Sequence, residues 1–142
     1  MITVLVVDDN KNQRLLYEQE LWEEGYRVLL AEDGLQAIEK LHAHIPDVIV
    51  IEIGGRVVGV DILRYLQKYR GGIPVIANTA RVDFHGLVAG LVDAHVIKSS
   101  DLNPLKMHIR KLLRTARGQE ETHADRRERT QYRNERWAAI AH

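Results

Sequence analysis

Two rhythms of apolar and polar positions alternate along the chain. Short, almost unbroken apolar runs occur at Ile2–Val7 (ITVLVV), Tyr26–Ala31 (YRVLLA), Asp47–Ile53 (DVIVIEI), Ile73–Asn78 (IPVIAN) and Ala94–Lys98 (AHVIK). Their length and β-branched content are those of buried strands. Between them the spacing turns helical. Residues 12–25 (NQRLLYEQELWEEG) carry Leu15, Leu16 and Leu21 before Gly25 stops the period, and Leu35–Leu41 sets Ala37, Ile38 and Leu41 on one face before Pro46 turns the chain. Asp61–Tyr69 (DILRYLQKY) follows a glycine-rich turn, Val82–Leu91 (VDFHGLVAGL) is a weaker helical run, and Leu105–Leu113 (LKMHIRKLL) closes the series. Strands alternating with helices of this length form right-handed βαβ units. The pattern therefore predicts a doubly wound α/β fold, a (βα)5 unit with a parallel five-stranded sheet and helices on both faces.

From Arg114 the rhythm stops. RTARGQEETHADRRERTQYRNERWAAIAH has no apolar period until its last residues, so it cannot bury a core of its own. The domain is expected over residues 1–115, with 116–142 a charged tail, either solvated or a helical extension. Support for a helix is mixed, since Arg129 and Arg133 repel at i, i+4. As a solvated segment it should be cut by trypsin between Arg117 and Arg136 before the core is touched. Its alternative use is a partner-binding or homodimer-forming helix anchored by Trp137 and Ile140.

Composition narrows the classes. A chain of 142 residues, 45% hydrophobic and 28% charged, suits one domain with a sizeable core and leaves no room for a second. The formal charge is zero, so no basic field argues for nucleic acid or an anionic membrane. The absence of cysteine removes disulfides, thiolate nucleophiles and cysteine zinc sites. The opening MITVLVVDDN has no basic n-region and its apolar run ends at Asp8, so it reads as neither signal peptide nor membrane span, and a cytoplasmic location is expected. The HAH stretch (His42–His44) lacks a nearby metal-binding partner in sequence and reads as surface, and Gly54-Gly55 lacks the lysine and hydroxyl of a P-loop.

The chemistry sits at strand ends. Asp8 and Asp9 end the first strand, Glu52 the third, Thr79 the fourth and Lys98 the fifth. In a parallel sheet these ends share one crevice. Adjacent carboxylates suit a hard cation such as Mg2+, and a hydroxyl beside an ammonium suits phosphoryl oxygens. Each feature alone has an ordinary structural use, such as an aspartate capping the next helix, but their combination points to a site.

At these residues the chain resembles the receiver domains of two-component response regulators. VLVVDDN is similar to the family's acidic-pair segment, PDVIVIEI to its phosphoacceptor strand, IPVIANTA to its switch-threonine strand and DAHVIKSSDL to its lysine strand, in order over about residues 1–115. The resemblance implies a flavodoxin-like receiver fold, Mg2+ at Asp8 and Asp9 with the acceptor carboxylate, Thr79 as switch hydroxyl, Lys98 as the ammonium on the phosphoryl group, and a histidine kinase as donor. Four departures stand out. The acceptor position holds Glu52 in place of aspartate, GGRVVG (residues 54–59) replaces the usual following loop, His95 takes the aromatic switch position, and Ser99 replaces the proline after the lysine, so no cis peptide is expected there.

In-line phosphoryl transfer is sensitive to acceptor placement, so one extra methylene should be damaging, while a longer carboxylate can reach toward Lys98 and Thr79 and partly imitate a phosphoryl group. The sequence therefore predicts a stand-alone pseudo-receiver in phosphorelay signal transduction. It would be phosphorylation-independent and hold Mg2+ weakly. Its partner would be a histidine kinase or downstream protein, met through the helical run at 82–91, the last strand and the last helix. The alternatives are an ordinary Mg2+-dependent phosphate-switched receiver and, from another class, a small Mg2+-binding phosphohydrolase-like enzyme, for which no second base or nucleophile is visible. A DNA-binding regulator is disfavoured because no second domain is visible.

Overall fold

Each apolar run becomes a strand. In the computed structural model, which describes residues 1–53, 60–69, 71–80 and 89–118, β1 (Thr3–Val7), β2 (Arg27–Ala31), β3 (Val48–Glu52), β4 (Val75–Thr79) and β5 (Ala94–Ile97) pair in parallel in the order β2-β1-β3-β4-β5. The helices are α1 (Lys11–Glu23), α2 (Gly34–Ala43), α3 (Val60–Tyr69) and α4 (Asn103–Gly118). The expected helix at 82–91 falls largely outside the described residues, whose nearest element is a 3-10 turn at Ala89–Leu91. The loop at 54–59 and the tail from 119 also lie outside them. The last helix is longer than its apolar period implied, running through Gly118 past the boundary expected at 115.

β1, β3 and β4 are the interior strands of the sheet, and burial on both faces is why β1 and β3 read as continuously apolar. On one face Leu5, Val7, Ile49, Ile51, Val75 and Ala77 meet Ala37 and Leu41 of α2 and Leu63 and Leu66 of α3. On the other, Val4, Val6, Val48, Val50 and Ile76 meet Tyr17 and Leu21 of α1 and Leu105, Ile109 and Leu113 of α4. Strand starts are pinned by carboxylates. Asp47 Oδ2 accepts from the Thr3 amide at 2.8 Å, and Asp93 Oδ2 from the Val75 amide at 2.7 Å, while both aspartates return their own N–H to the same residue's carbonyl.

Local signals set the helix ends. Asn10 caps α1 by accepting from the Gln13 amide at 3.0 Å, and Asp33 caps α2 by accepting from Gln36 at 2.8 Å. α1 ends in a Schellman turn: Gly25 at φ 91° lets its own N–H reach the Trp22 carbonyl and the Tyr26 N–H reach Leu21, and Tyr26 and Leu21 share the same core. One sequence expectation shifts here. The inward positions of α1 are Tyr17 and Leu21, both 0% exposed, whereas Leu15 is 51% exposed. A tyrosine hydroxyl made the true inward face look less apolar than it is.

That hydroxyl has a partner. Asn78 Nδ2 donates to the Tyr17 hydroxyl at 2.7 Å, in the core between α1 and β4, with both side chains buried. Tyr17→Phe should cost about 1–3 kcal/mol in urea unfolding, because it strands the Asn78 amide out of water. Burial raises the Tyr17 hydroxyl above 10.0. The unfolded chain therefore ionises first, and the tyrosine's stabilisation is present at neutral pH and declines above pH 10 as the unfolded state loses its proton. The Phe variant should show a flatter alkaline limb than the wild type.

Candidate functional site

In this strand order the connections leave β1 in opposite directions, to β2 on one side and β3 on the other. The carboxyl ends of β1 and β3 therefore flank a crevice that no crossover covers. The β1–β3 register pairs Val7 with Ile51, which sets Asp8 and Glu52 side by side just past the ladder. β4 pairs Glu52 with Asn78 and β5 pairs Thr79 with Ile97, so Thr79 and Lys98 arrive at the same edge.

Lys98 stands between the carboxylates. Its Nζ donates to Glu52 Oε1 at 2.7 Å and to Asp8 Oδ2 at 2.9 Å, and the Lys98 amide donates to the Thr79 carbonyl. Asp8 is 1% exposed, and its Oδ1 also accepts from the Asn10 amide at 2.9 Å. Arg14 donates from Nη1 to the Asp8 carbonyl at 2.9 Å and lies 3.8 Å from Glu32. Asp8, Asp9 and Glu52 each offer an oxygen within 4.8 Å of the others.

The cluster is made of three carboxylates and one ammonium. A single ammonium bridges two carboxylates, with a third, Asp9, beside them. Burial raises the Glu52 carboxyl, and Asp8 adds to the rise against the lowering effect of Lys98. Burial alone would lower the Lys98 ammonium, but its hydrogen bonds to Glu52 and Asp8 outweigh this and the net shift is upward. The two directions have different leading causes: burial raises the carboxyl, while hydrogen bonds to the carboxylates keep the lysine charged. Glu52 Oε2 is buried without a hydrogen-bond partner. An all-oxygen donor set with one unengaged buried oxygen fits a hard divalent cation, with Asp8, Asp9 and Glu52 as the residues able to hold it.

The structure thus brings together Asp8, Asp9, Glu52 and Lys98. Thr79 lies buried at the same strand edge. His95 sits on β5 opposite Ala77 with its side chain exposed, outside the ion cluster. The loop 54–59, expected to shape the metal side, is outside the described residues. Sequence reading passed over Arg14, Tyr17 and Asn78. The available signal was an asparagine inside an otherwise apolar strand, which cannot be buried without a partner.

Against known proteins, the response regulator receiver domain family matches residues 4–110. The response regulator MprA of Mycobacterium ulcerans is 32% identical over 87% of this chain and 55% of its own length. ArlR of Staphylococcus aureus is 31% identical over 80% of this chain and 53% of its length, so the chain spans about half the length of the curated relatives it matches. The crystal structure of TrrA from Thermotoga maritima in complex with Mg2+–BeF is 32% identical, covering 79% of this chain and 99% of that one at a TM-score of 0.73. TrrA in complex with the histidine kinase ThkA matches at 31% identity over 80% and 99% of the two chains, with a TM-score of 0.73. Among the described residues no helix is long and apolar enough to cross a membrane.

Removing the bridging cation tests its structural role. Lys98→Met should destabilise the metal-free fold by roughly 2–3 kcal/mol, below the 3–5 kcal/mol of a fully enclosed pair because the crevice opens to water. Thermal unfolding in chelator is the measurement, and an unchanged midpoint would show that the bridge is not needed for stability.

Proposed function

Because the chain belongs to the response regulator receiver family, we propose that it is a two-component signalling receiver in which Glu52 holds the phosphoacceptor position and output does not wait for phosphorylation. The observation that carries this reading is the 2.7 Å bond between Lys98 Nζ and Glu52 Oε1. In the family resemblance Lys98 engages the phosphoryl oxygens, and here the longer carboxylate engages it directly. The extra methylene that reaches the lysine also shifts the oxygen that would attack phosphorus, and phosphoryl transfer tolerates little displacement. Glu52 imitates the reach of a phosphorylated aspartate with less charge.

Asp8, Asp9 and the free Glu52 oxygen would hold Mg2+, whose positive charge offsets that of an incoming phosphoryl group. Lys98 already neutralises part of the same cluster, so the ion is held weakly. Thr79 is the switch hydroxyl and His95 the switch position on β5 that reports to the surface. The solved TrrA–ThkA complex supports a histidine kinase as one partner class, with a downstream signalling protein as the other. The receiver unit is residues 1–115 and the charged segment 116–142 is an appendage to it, working in a cytoplasmic setting. The buried, unpartnered Glu52 Oε2 is the observation that favours the second reading, a Mg2+-dependent phosphate-switched receiver.

Intact mass after incubation with a small phosphodonor and Mg2+ separates the two. Wild-type protein should gain no phosphoryl mass, Glu52→Asp should recover some labelling, and Lys98→Ala added to it should weaken that response. Wild-type binding to a partner should match phosphorylated Glu52→Asp rather than the unphosphorylated variant. Labelling of the wild type at Glu52 would establish the phosphate-switched reading instead. In a separate titration, amide shifts near Asp9 should move at millimolar Mg2+, and the Lys98→Met variant should respond at lower metal than the wild type because its competing cation is gone.

A further inference from the structure

α1 carries an apolar stripe that its own domain leaves uncovered. Leu15 is 51% exposed and Trp22 62% exposed. Seven residues apart, they stand on one side of the helix, away from Tyr17 and Leu21, which face the sheet. Lys11 precedes the stripe, and Glu18 and Glu23 lie along its C-terminal half, all exposed. No ion pair engages these charges among the described residues. Glu20 and Glu24, on the adjoining side, are answered within the domain by Lys106 and Arg110 of α4.

The order of those charges is costly for an isolated helix. α1 has no acidic residue in its first turn and no basic residue in its last, opposite to what the helix dipole favours. α4 answers that cost for Glu20 and Glu24, while Glu18 and Glu23 find no such answer. A helix that is basic at its start and acidic toward its end is complementary to a copy of itself laid antiparallel. A parallel copy would place acid against acid. Trp22 also walls an open depression of about 390 Å³, lined further by Glu18, Gln19, Arg27 and Val28.

We propose that α1 is the contact face of a two-fold dimer of this chain. The two α1 helices run antiparallel, with Leu15 of each copy against Trp22 of the other and Lys11 of each over the Glu18–Glu23 end of the other. The contact is isologous and closes on itself, as two-fold assembly requires. A formal net charge of zero leaves no overall repulsion to oppose it. One helix face of this length buries less than the about 1,200 Å² of stable complexes, so the dimer is weak and concentration-dependent.

Sedimentation equilibrium of the full chain in low salt should show the mass rising from monomer toward dimer between about 10 µM and 1 mM. Trp22→Ser and Leu15→Ser should each move the midpoint at least tenfold upward, with thermal unfolding unchanged because both side chains are on the surface. Charge exchange is the sharper readout. Lys11→Glu alone, and Glu18→Lys with Glu23→Lys, should each weaken self-association, and an equal mixture of the two proteins should regain a dimer of mixed composition. A chain monomeric at 1 mM, a dimer indifferent to both serine variants, or a mixture that does not pair overturns the proposal. So does a dimer abolished only by Trp137→Ser, which would place the contact in the C-terminal segment.

Discussion

The ammonium of Lys98, held between Asp8 and Glu52, is the interaction on which the candidate site depends. It joins the carboxyl ends of β1 and β3, neighbours in the sheet, to the far edge strand β5. Three strand ends are thereby tied by side chains at a place where the backbone ladder has already stopped. Carboxylates this close would otherwise repel in a partly buried crevice, and only a cation between them makes the arrangement favourable. A lysine can supply that charge from within the chain, whereas a divalent ion must come from solution. Binding of a divalent ion in the crevice would therefore be a competition between a tethered monovalent charge and a free divalent one.

That competition bears on signalling. On the function proposed above, a receiver that switches would release and recapture this lysine as a phosphoryl group comes and goes. A carboxylate long enough to hold the lysine in the resting chain removes much of the difference between the two states, and a ligand or modification can shift an equilibrium only by the difference it makes between them. On that proposed function, the 2.7 Å contact to Glu52 is more than a neutralising ion pair, because it would occupy the interaction by which a phosphoryl group is read.

The layer beneath the site is polar where it could have been oily. Tyr17 and Asn78 form a buried hydrogen bond linking α1 to β4, one residue from Thr79 and within electrostatic reach of Asp8, Glu52 and Lys98. A fully satisfied polar pair specifies one arrangement more sharply than apolar packing, because any slip leaves both groups unpaired. It holds α1 against β4, the strand that carries Thr79. With its inward side committed to Tyr17 and Leu21, α1 is left with Leu15 and Trp22 on the solvent side.

Much of this was legible before any coordinates. Parallel strands bury both faces, so β1 and β3 had to read as continuous apolar runs, and the α/β alternation followed from runs too short to be anything but strands. Strand ends in a parallel sheet converge, so Asp8, Asp9, Glu52 and Lys98 could be grouped from sequence. Helix faces were less secure. Leu15 and Leu16 satisfied the period that α1 was expected to show, yet Tyr17 is the buried residue, since a hydroxyl with a partner across 61 positions of sequence can enter a core that composition alone would close to it. Whether Lys98 lay beside the carboxylates or among them was equally beyond one-dimensional reading. It depended on the stagger of β5 on β4 and of β3 on β1, and register is decided by packing between strands distant in the chain. The residue types named the chemistry of the site, and the long-range pairing of the sheet decided which charge met which.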